Sequence, residues 1–149
     1  MIVADTGAIL ALIDKSDLHH AALTELYQEA PHRWVLPWAI LPEVDYLVGA
    51  HLGPRAEEAF LADLADDVFL VEWGREADLA RAHALTRQYR ALKLGLVDGI
   101  VMAMAERLRA AAIATLDVRH FGAVTIKGGP ALWPRDGDAR KLRRKRLES

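Results

Sequence analysis

The strongest constraint on this chain is an alternation of short apolar runs with longer stretches of helical spacing. The apolar runs are Ile2-Val3-Ala4, Trp34-Val35-Leu36, Val68 to Trp73, Ala112 to Leu116 and Val124-Thr125-Ile126. Between them lie segments whose apolar residues recur three and four apart, the helical signature. They run from Ala8 to Ile13, Asp17 to Ala30, about Ile40 to Ala50, Pro54 to Ala65, Glu76 to Tyr89 and Leu96 to Ala110. Strands that alternate with helices predict an α/β fold, a mostly parallel sheet covered by helices on both faces.

At 149 residues, 52% hydrophobic and 27% charged, the chain suits one such domain with one core. It has no cysteine, which excludes disulfides and Cys-based zinc sites and fits a reducing compartment. Asp5 interrupts any signal-peptide core, and no apolar run approaches the roughly 20 residues that span a bilayer. A cytoplasmic protein without membrane segments is expected. The formal charge of −2 conceals an asymmetry: residues 140–149 carry six basic residues and one acid, leaving an acidic body. The expected organisation is a domain over residues 1–134 and a flexible basic tail over 135–149.

Four carboxylates carry the chemical signal. Asp5 and Asp117 each follow an apolar strand directly and precede a helix. In open α/β sheets, ligands bind beyond the carboxyl ends of the strands, so both acids should face one crevice. A helix N-cap explains either of them taken singly. Glu43 and Asp98 fall near the starts of helices, where the helix dipole also favours an acid. Helical geometry places Glu43 on the column of Ile40, Tyr46, Leu47 and Ala50, and Asp98 on that of Leu94, Val101, Met102 and Ala105. Both columns are largely apolar and should face inward. Asp45 points away from Glu43 and reads as solvated surface. Four acids in one crevice repel: two unit charges at ~4 Å cost about 4 kcal/mol at an effective dielectric near 20. Either their pKa values rise or a cation neutralises them, and an all-oxygen set selects a hard ion such as Mg²⁺ or Mn²⁺.

These residues resemble the PIN-domain nucleases and, within them, the VapC-type toxins of bacterial toxin–antitoxin pairs. The resemblance spans nearly the whole chain. It rests on Ile2-Val3-Ala4-Asp5-Thr6-Gly7-Ala8-Ile9, Pro42-Glu43-Val44, Gly95-Leu96-Val97-Asp98-Gly99, and Ala114-Thr115-Leu116-Asp117-Val118-Arg119-His120-Phe121. It implies a PIN-like three-layer sandwich, Mg²⁺-dependent hydrolysis of RNA with Mn²⁺ able to substitute, a second copy of the chain, and a small antitoxin partner. It also implies that Asp5 and Asp98 hold the metal most directly, that Glu43 and Asp117 complete the pocket partly through water, and that Thr6 and Thr115 orient carboxylates or water. Gly7 stands where the family often has Ser, and Gly99 where it often has Ala.

Arg119, two residues past Asp117, is a candidate RNA contact. The tail Arg140 to Arg146 has the composition of a phosphate-binding run or of a solvated end. The six histidines show no metal-ligand spacing, and surface or cap roles are expected for them. Trp34 and Trp73 are expected in the core, and Trp38 at the cleft or a dimer interface. Two other functions compete. A receiver-like phosphoacceptor domain also gathers acids at strand ends, but it needs paired acids after the first strand and an Asp after the central one. A non-catalytic RNA-binding PIN module would be expected to have lost some of the four acids.

Overall fold

The computed structural model describes residues 1–137 and 147–148. Five strands form one sheet in the order β3-β2-β1-β4-β5, and every neighbouring pair is parallel. They are β1 (Ile2–Ala4), β2 (Trp34–Pro37), β3 (Leu70–Glu72), β4 (Ala112–Ala114) and β5 (Ala131–Trp133). Strands β1, β2 and β4 are buried throughout, as expected of a sheet covered on both faces. Parallel pairing forces each connection to cross over, and the helices are those crossovers.

The helices are α1 (Thr6–Ile13), α2 (His20–Glu29), α3 (Leu41–Leu52), α4 (Pro54–Ala65), α5 (Glu76–Gln88), α6 (Leu96–Arg107) and α7 (Val118–Ala123). Helix α1 packs on α2 and α3, and α3 on α4; α6 packs on α5 and against β1 and β2. Pro42 sits in the first turn of α3, where its missing N–H costs nothing, and Gly53 ends that helix at φ +89°. Helix α6 buries the continuous run Gly99 to Ala105. Val101, Met102 and Ala105 of the expected column join the main core with the strands, while Ile100 and Met104 pack in a separate cluster.

Chain order reverses at β1, which pairs with β2 on one side and with β4 on the other. The carboxyl ends of β1 and β4 thus flank a topological switch point, the place where such sheets open a crevice.

Several expectations are corrected. Val124-Thr125-Ile126 is not a strand; the last strand is Ala131–Trp133, in register with β4 through Ala112 and Ala131. Val124 and Ile126 are buried, so their apolar character reports core packing without a ladder. Trp34 is buried among Tyr27 and Trp133, with ring centroids 5.4 and 6.2 Å away. Trp73, one residue past the edge strand β3, is 74% exposed instead. Trp38 packs with Ala39, Ala82, Ile100 and Met104 in a small second cluster, away from the crevice. Arg140 to Arg146 lies outside the described residues.

Candidate active site

A cleft of about 630 Å³ opens at the switch point, lined by Asp5, Glu43, Asp98 and Asp117 together with Thr6, Gly7, Leu10, Leu47, Leu116 and the α6 entry 95–97. All four acids singled out by sequence line it.

Asp5 leaves β1 in extended geometry and caps α1, its Oδ1 accepting the Thr6 N–H at 2.8 Å. Its Oδ2 accepts the Thr115 hydroxyl at 2.9 Å. Thr115 follows β4 and is fully buried; its hydroxyl oxygen in turn accepts the Asp117 N–H at 3.0 Å. One hydroxyl therefore ties the two strand ends together. Asp5 is only 7% exposed, and its pKa is pushed up to about 6. Burial is the main cause; the Thr6 and Thr115 hydrogen bonds oppose it, and the Asp98 and Asp117 charges add to it.

Asp117 caps α7, its Oδ1 accepting the His120 N–H at 3.0 Å. Asp98 stands in the first turn of α6. Its pKa is raised, chiefly by burial and further by the Asp117 charge, against the pull of His120. Capping and dipole explanations hold for these acids one by one, yet none accounts for their shared cleft. Glu43 differs. It lines the cleft from α3 but is exposed, as are Tyr46 and Ala50 of its column. The buried stripe of α3 is Val44 and Val48 instead. Asp45 is half-buried and meets Glu57 of α4, whose pKa rises because the two carboxyls share a hydrogen bond and repel.

The sequence reading passed over His120. Its Nδ1 lies 3.1 Å from Asp98 Oδ2 and 3.0 Å from Asp117 Oδ2. Asp98, Asp117 and His120 offer three ligand atoms within 4.8 Å of one another, the one such group among the described residues. The available signal was the Asp117-x-x-His120 spacing, which puts both side chains on one side of a helical turn.

The residues fit a divalent cation. Two carboxylates with raised pKa values face one cleft, and the buried Thr6 hydroxyl next to Asp5 in the chain has no partner among the described residues. Partner-free buried hydroxyls are unusual enough to call for a ligand or water. Only one of the two glycine departures has a local reason. A Cβ on Gly7 would make ordinary contact with Leu116 at 3.7 Å, so packing does not require the glycine there. One on Gly99 would come within 3.0 Å of the Ala82 Cβ, so the glycine lets α5 approach α6.

A switch-point cleft walled by acids, on an all-parallel five-stranded sheet, defines a class: the chain belongs to the PIN domain family, whose profile matches residues 2–127. The likeness to VapC-type chains is met by Ribonuclease VapC26 of Mycobacterium tuberculosis, 32% identical over 128 residues, which cover 86% of this chain and 95% of that one. Among solved structures, the Mycobacterium tuberculosis VapC20 toxin, described as cleaving the sarcin-ricin loop, has a TM-score of 0.71 at 21% identity, covering 83% of this chain and 97% of its own. VapBC2 from Rickettsia felis, bound to a DNA fragment from its promoter, has a TM-score of 0.64 at 16% identity, covering 89% and 97%. FitAcB from Neisseria gonorrhoeae has a TM-score of 0.61 at 16% identity, covering 89% and 96%. These structural likenesses bear on the fold. The receiver alternative has no footing here: the chain belongs to the PIN family, and a single acid, Asp5, follows the first strand where that reading needs a pair.

Proposed function

We propose that this protein is a divalent-metal-dependent ribonuclease, with Mg²⁺ the expected ion, acting as the toxin of a toxin–antitoxin pair. The observation that carries the reading is a buried Asp5 held beside Asp98 and Asp117 with no Lys or Arg lining the cleft among the described residues. Buried acids without a cation lose stability for the fold, so a gain elsewhere is implied. The 32% identical relative named a ribonuclease supports RNA as substrate, and the likeness to the VapBC2 assembly supports a small antitoxin partner.

Asp5, Asp98 and Asp117 hold the ion, and Glu43 completes the pocket from α3. The ion supplies charge neutralisation at the phosphate and activation of water. Thr115 fixes Asp5 and the Asp117 backbone against each other, so the two strand-end acids keep a set separation. Thr6 supports the site by donating its N–H to Asp5. Arg119 is exposed on α7 beside the cleft and is assigned to RNA phosphate. The exposed apolar residues Tyr46, Trp73 and Leu96 are compatible with a second copy or antitoxin covering part of this surface. Residues 1–134 are taken as the PIN domain and 135–149 as its basic tail. Among the described residues no helix is long and apolar enough to cross a membrane, and a cytoplasmic site of action is part of the same reading.

The test is cleavage of structured RNAs with Mg²⁺ by wild type, Asp5→Asn and Asp98→Asn. Either substitution should lower the rate by about 10²- to 10³-fold, the loss typical of removing one electrostatic stabiliser of charge in a transition state. Equal cleavage by all three overturns the assignment. Tight RNA binding with no cleavage under any metal would favour a non-catalytic module.

A further inference from the structure

We propose that His120 is itself a ligand of the cleft's cation through Nδ1, and that this nitrogen makes the site prefer first-row transition ions to Mg²⁺. The inference rests on the reading that the cleft binds a divalent cation.

The geometry of one nitrogen atom carries it. His120 Nδ1 sits 3.1 Å from Asp98 Oδ2 and 3.0 Å from Asp117 Oδ2, acids that belong to different helices. An imidazole nitrogen bears at most one hydrogen, and a hydrogen bond weakens steeply away from linearity. One N–H therefore serves one of these oxygens well and the other poorly. A cation has no such limit. In octahedral coordination with bonds of about 2.1 Å, adjacent ligands stand roughly 3 Å apart. Both observed separations match that edge, so Nδ1 stands where a ligand neighbouring each of these oxygens would stand, and one ligand atom from each of the three residues lies within 4.8 Å of the others.

The arrangement is also held from behind. The His120 N–H binds Asp117 Oδ1 at 3.0 Å, which leaves Oδ2 of the same carboxylate on the Nδ1 side. Asp117 in turn is anchored to Thr115, and Thr115 to Asp5. The ring is half-buried, with its side chain 22% exposed, and it reaches the cleft through Asp98 and Asp117, which line it. Thr6, which also lines the cleft, carries a buried hydroxyl with no partner among the described residues.

The chemistry sets the selectivity. Mg²⁺ is hard and favours oxygen, whereas imidazole suits first-row transition ions. Mn²⁺ is the weakest binder of that series, so a preference visible with Mn²⁺ is a conservative sign of the whole trend. His120→Asn keeps an amide N–H near the Nδ1 position but offers no nitrogen lone pair.

The experiment uses the full-length protein with Mn²⁺ or Mg²⁺ alone. Titration calorimetry should show Mn²⁺ binding at least ~10-fold tighter than Mg²⁺ in wild type, and His120→Asn should narrow that gap severalfold, mainly by weakening Mn²⁺. Pulsed electron paramagnetic resonance of the Mn²⁺ complex should show coupling to a directly bound ¹⁴N, lost in His120→Asn. Uniform ¹⁵N-histidine labelling of wild type should convert that signal to ¹⁵N, a readout that stands even if the variant fails to fold. Mn²⁺ bound without nitrogen coupling overturns the role of His120 and leaves the metal reading intact. Coupling that survives in a folded His120→Asn also overturns it. Absence of Mn²⁺ and Mg²⁺ binding in wild type overturns the metal reading and the inference together.

Discussion

Two buried aspartates in this molecule have opposite fates. Asp78, on α5, is 3% exposed and Asp5 is 7% exposed. Burial alone would raise both pKa values. At Asp78 it is overcome: Arg107 Nε donates to Oδ1 at 2.8 Å, Arg107 donates to Oδ2 at 3.0 Å, and the Arg75 N–H binds Oδ2 at 2.9 Å. The net shift is downward, with both guanidinium charges assisting. At Asp5 only neutral donors are supplied, and the neighbouring charges are Asp98 and Asp117, so the pKa rises to about 6. The fold neutralises one carboxylate with its own arginine and gives the other neutral donors and like charges. That difference separates the two acids more clearly than burial does, and the proposed metal site rests on it.

Three predictions probe the contrast. The largest effect belongs to Arg107→Met, which removes both guanidinium hydrogen bonds to buried Asp78 and leaves it only the Arg75 N–H and charge. It should cost about 3–5 kcal/mol in urea unfolding. A loss under ~1 kcal/mol would show that Arg107 does not neutralise Asp78.

Asp5→Asn should act in the opposite direction. The folded pKa of Asp5, about 6, lies above its ordinary 3.8. Its penalty is absent below pH ~4, grows as pH rises toward 6, and is constant above. In metal-free protein at pH 8 the variant should therefore gain about 1–3 kcal/mol, and at pH 4 almost nothing. Adding Mg²⁺ should reverse the ranking by stabilising wild type alone, by about 2.7 kcal/mol at 100 times the dissociation constant. An Asp5→Asn gain independent of pH would locate the effect in packing.

The smallest effect is expected at Glu72→Gln. Glu72 binds Arg107 at 3.0 Å, but both side chains are partly solvated, so the pair is screened. A loss of about 0.5–1 kcal/mol is expected, well below that of Arg107→Met, in the same unfolding assay. Equal losses would make Glu72, rather than Asp78, the partner that matters.

Much of the site was legible because its logic is local. Asp5 and Asp117 follow apolar strands directly, and strand ends in an α/β sheet face one way. Asp98 was legible because the apolar column beneath it is long enough to orient α6. Glu43 was read onto an inward column, yet helix α3 turns Val44 and Val48 to the core and leaves Tyr46 and Ala50 outside. Its place in the cleft comes from where α3 lies, not from burial of its own face. Trp73 was misjudged because an aromatic at the end of a strand reads as core only if something covers the sheet edge there. His120 was missed because its relation to Asp98 joins residues 22 apart in sequence.

The sequence by itself determined the class of fold, the parallel sheet and the four acids at its mouth, because hydrophobic periodicity and strand–helix alternation are short-range signals. It also bounded the chemistry, since an oxygen-rich cleft without cysteine excludes soft metals held by sulfur. Tertiary structure alone decided which apolar run becomes the fifth strand. Val124 to Ile126 and Ala131 to Trp133 are both apolar, but only the second reaches the hydrogen-bonding edge of β4. It likewise decided which buried aspartate receives an arginine and which nitrogen joins the acids. Those outcomes depend on distances between elements far apart in the chain, and no local pattern encodes such distances.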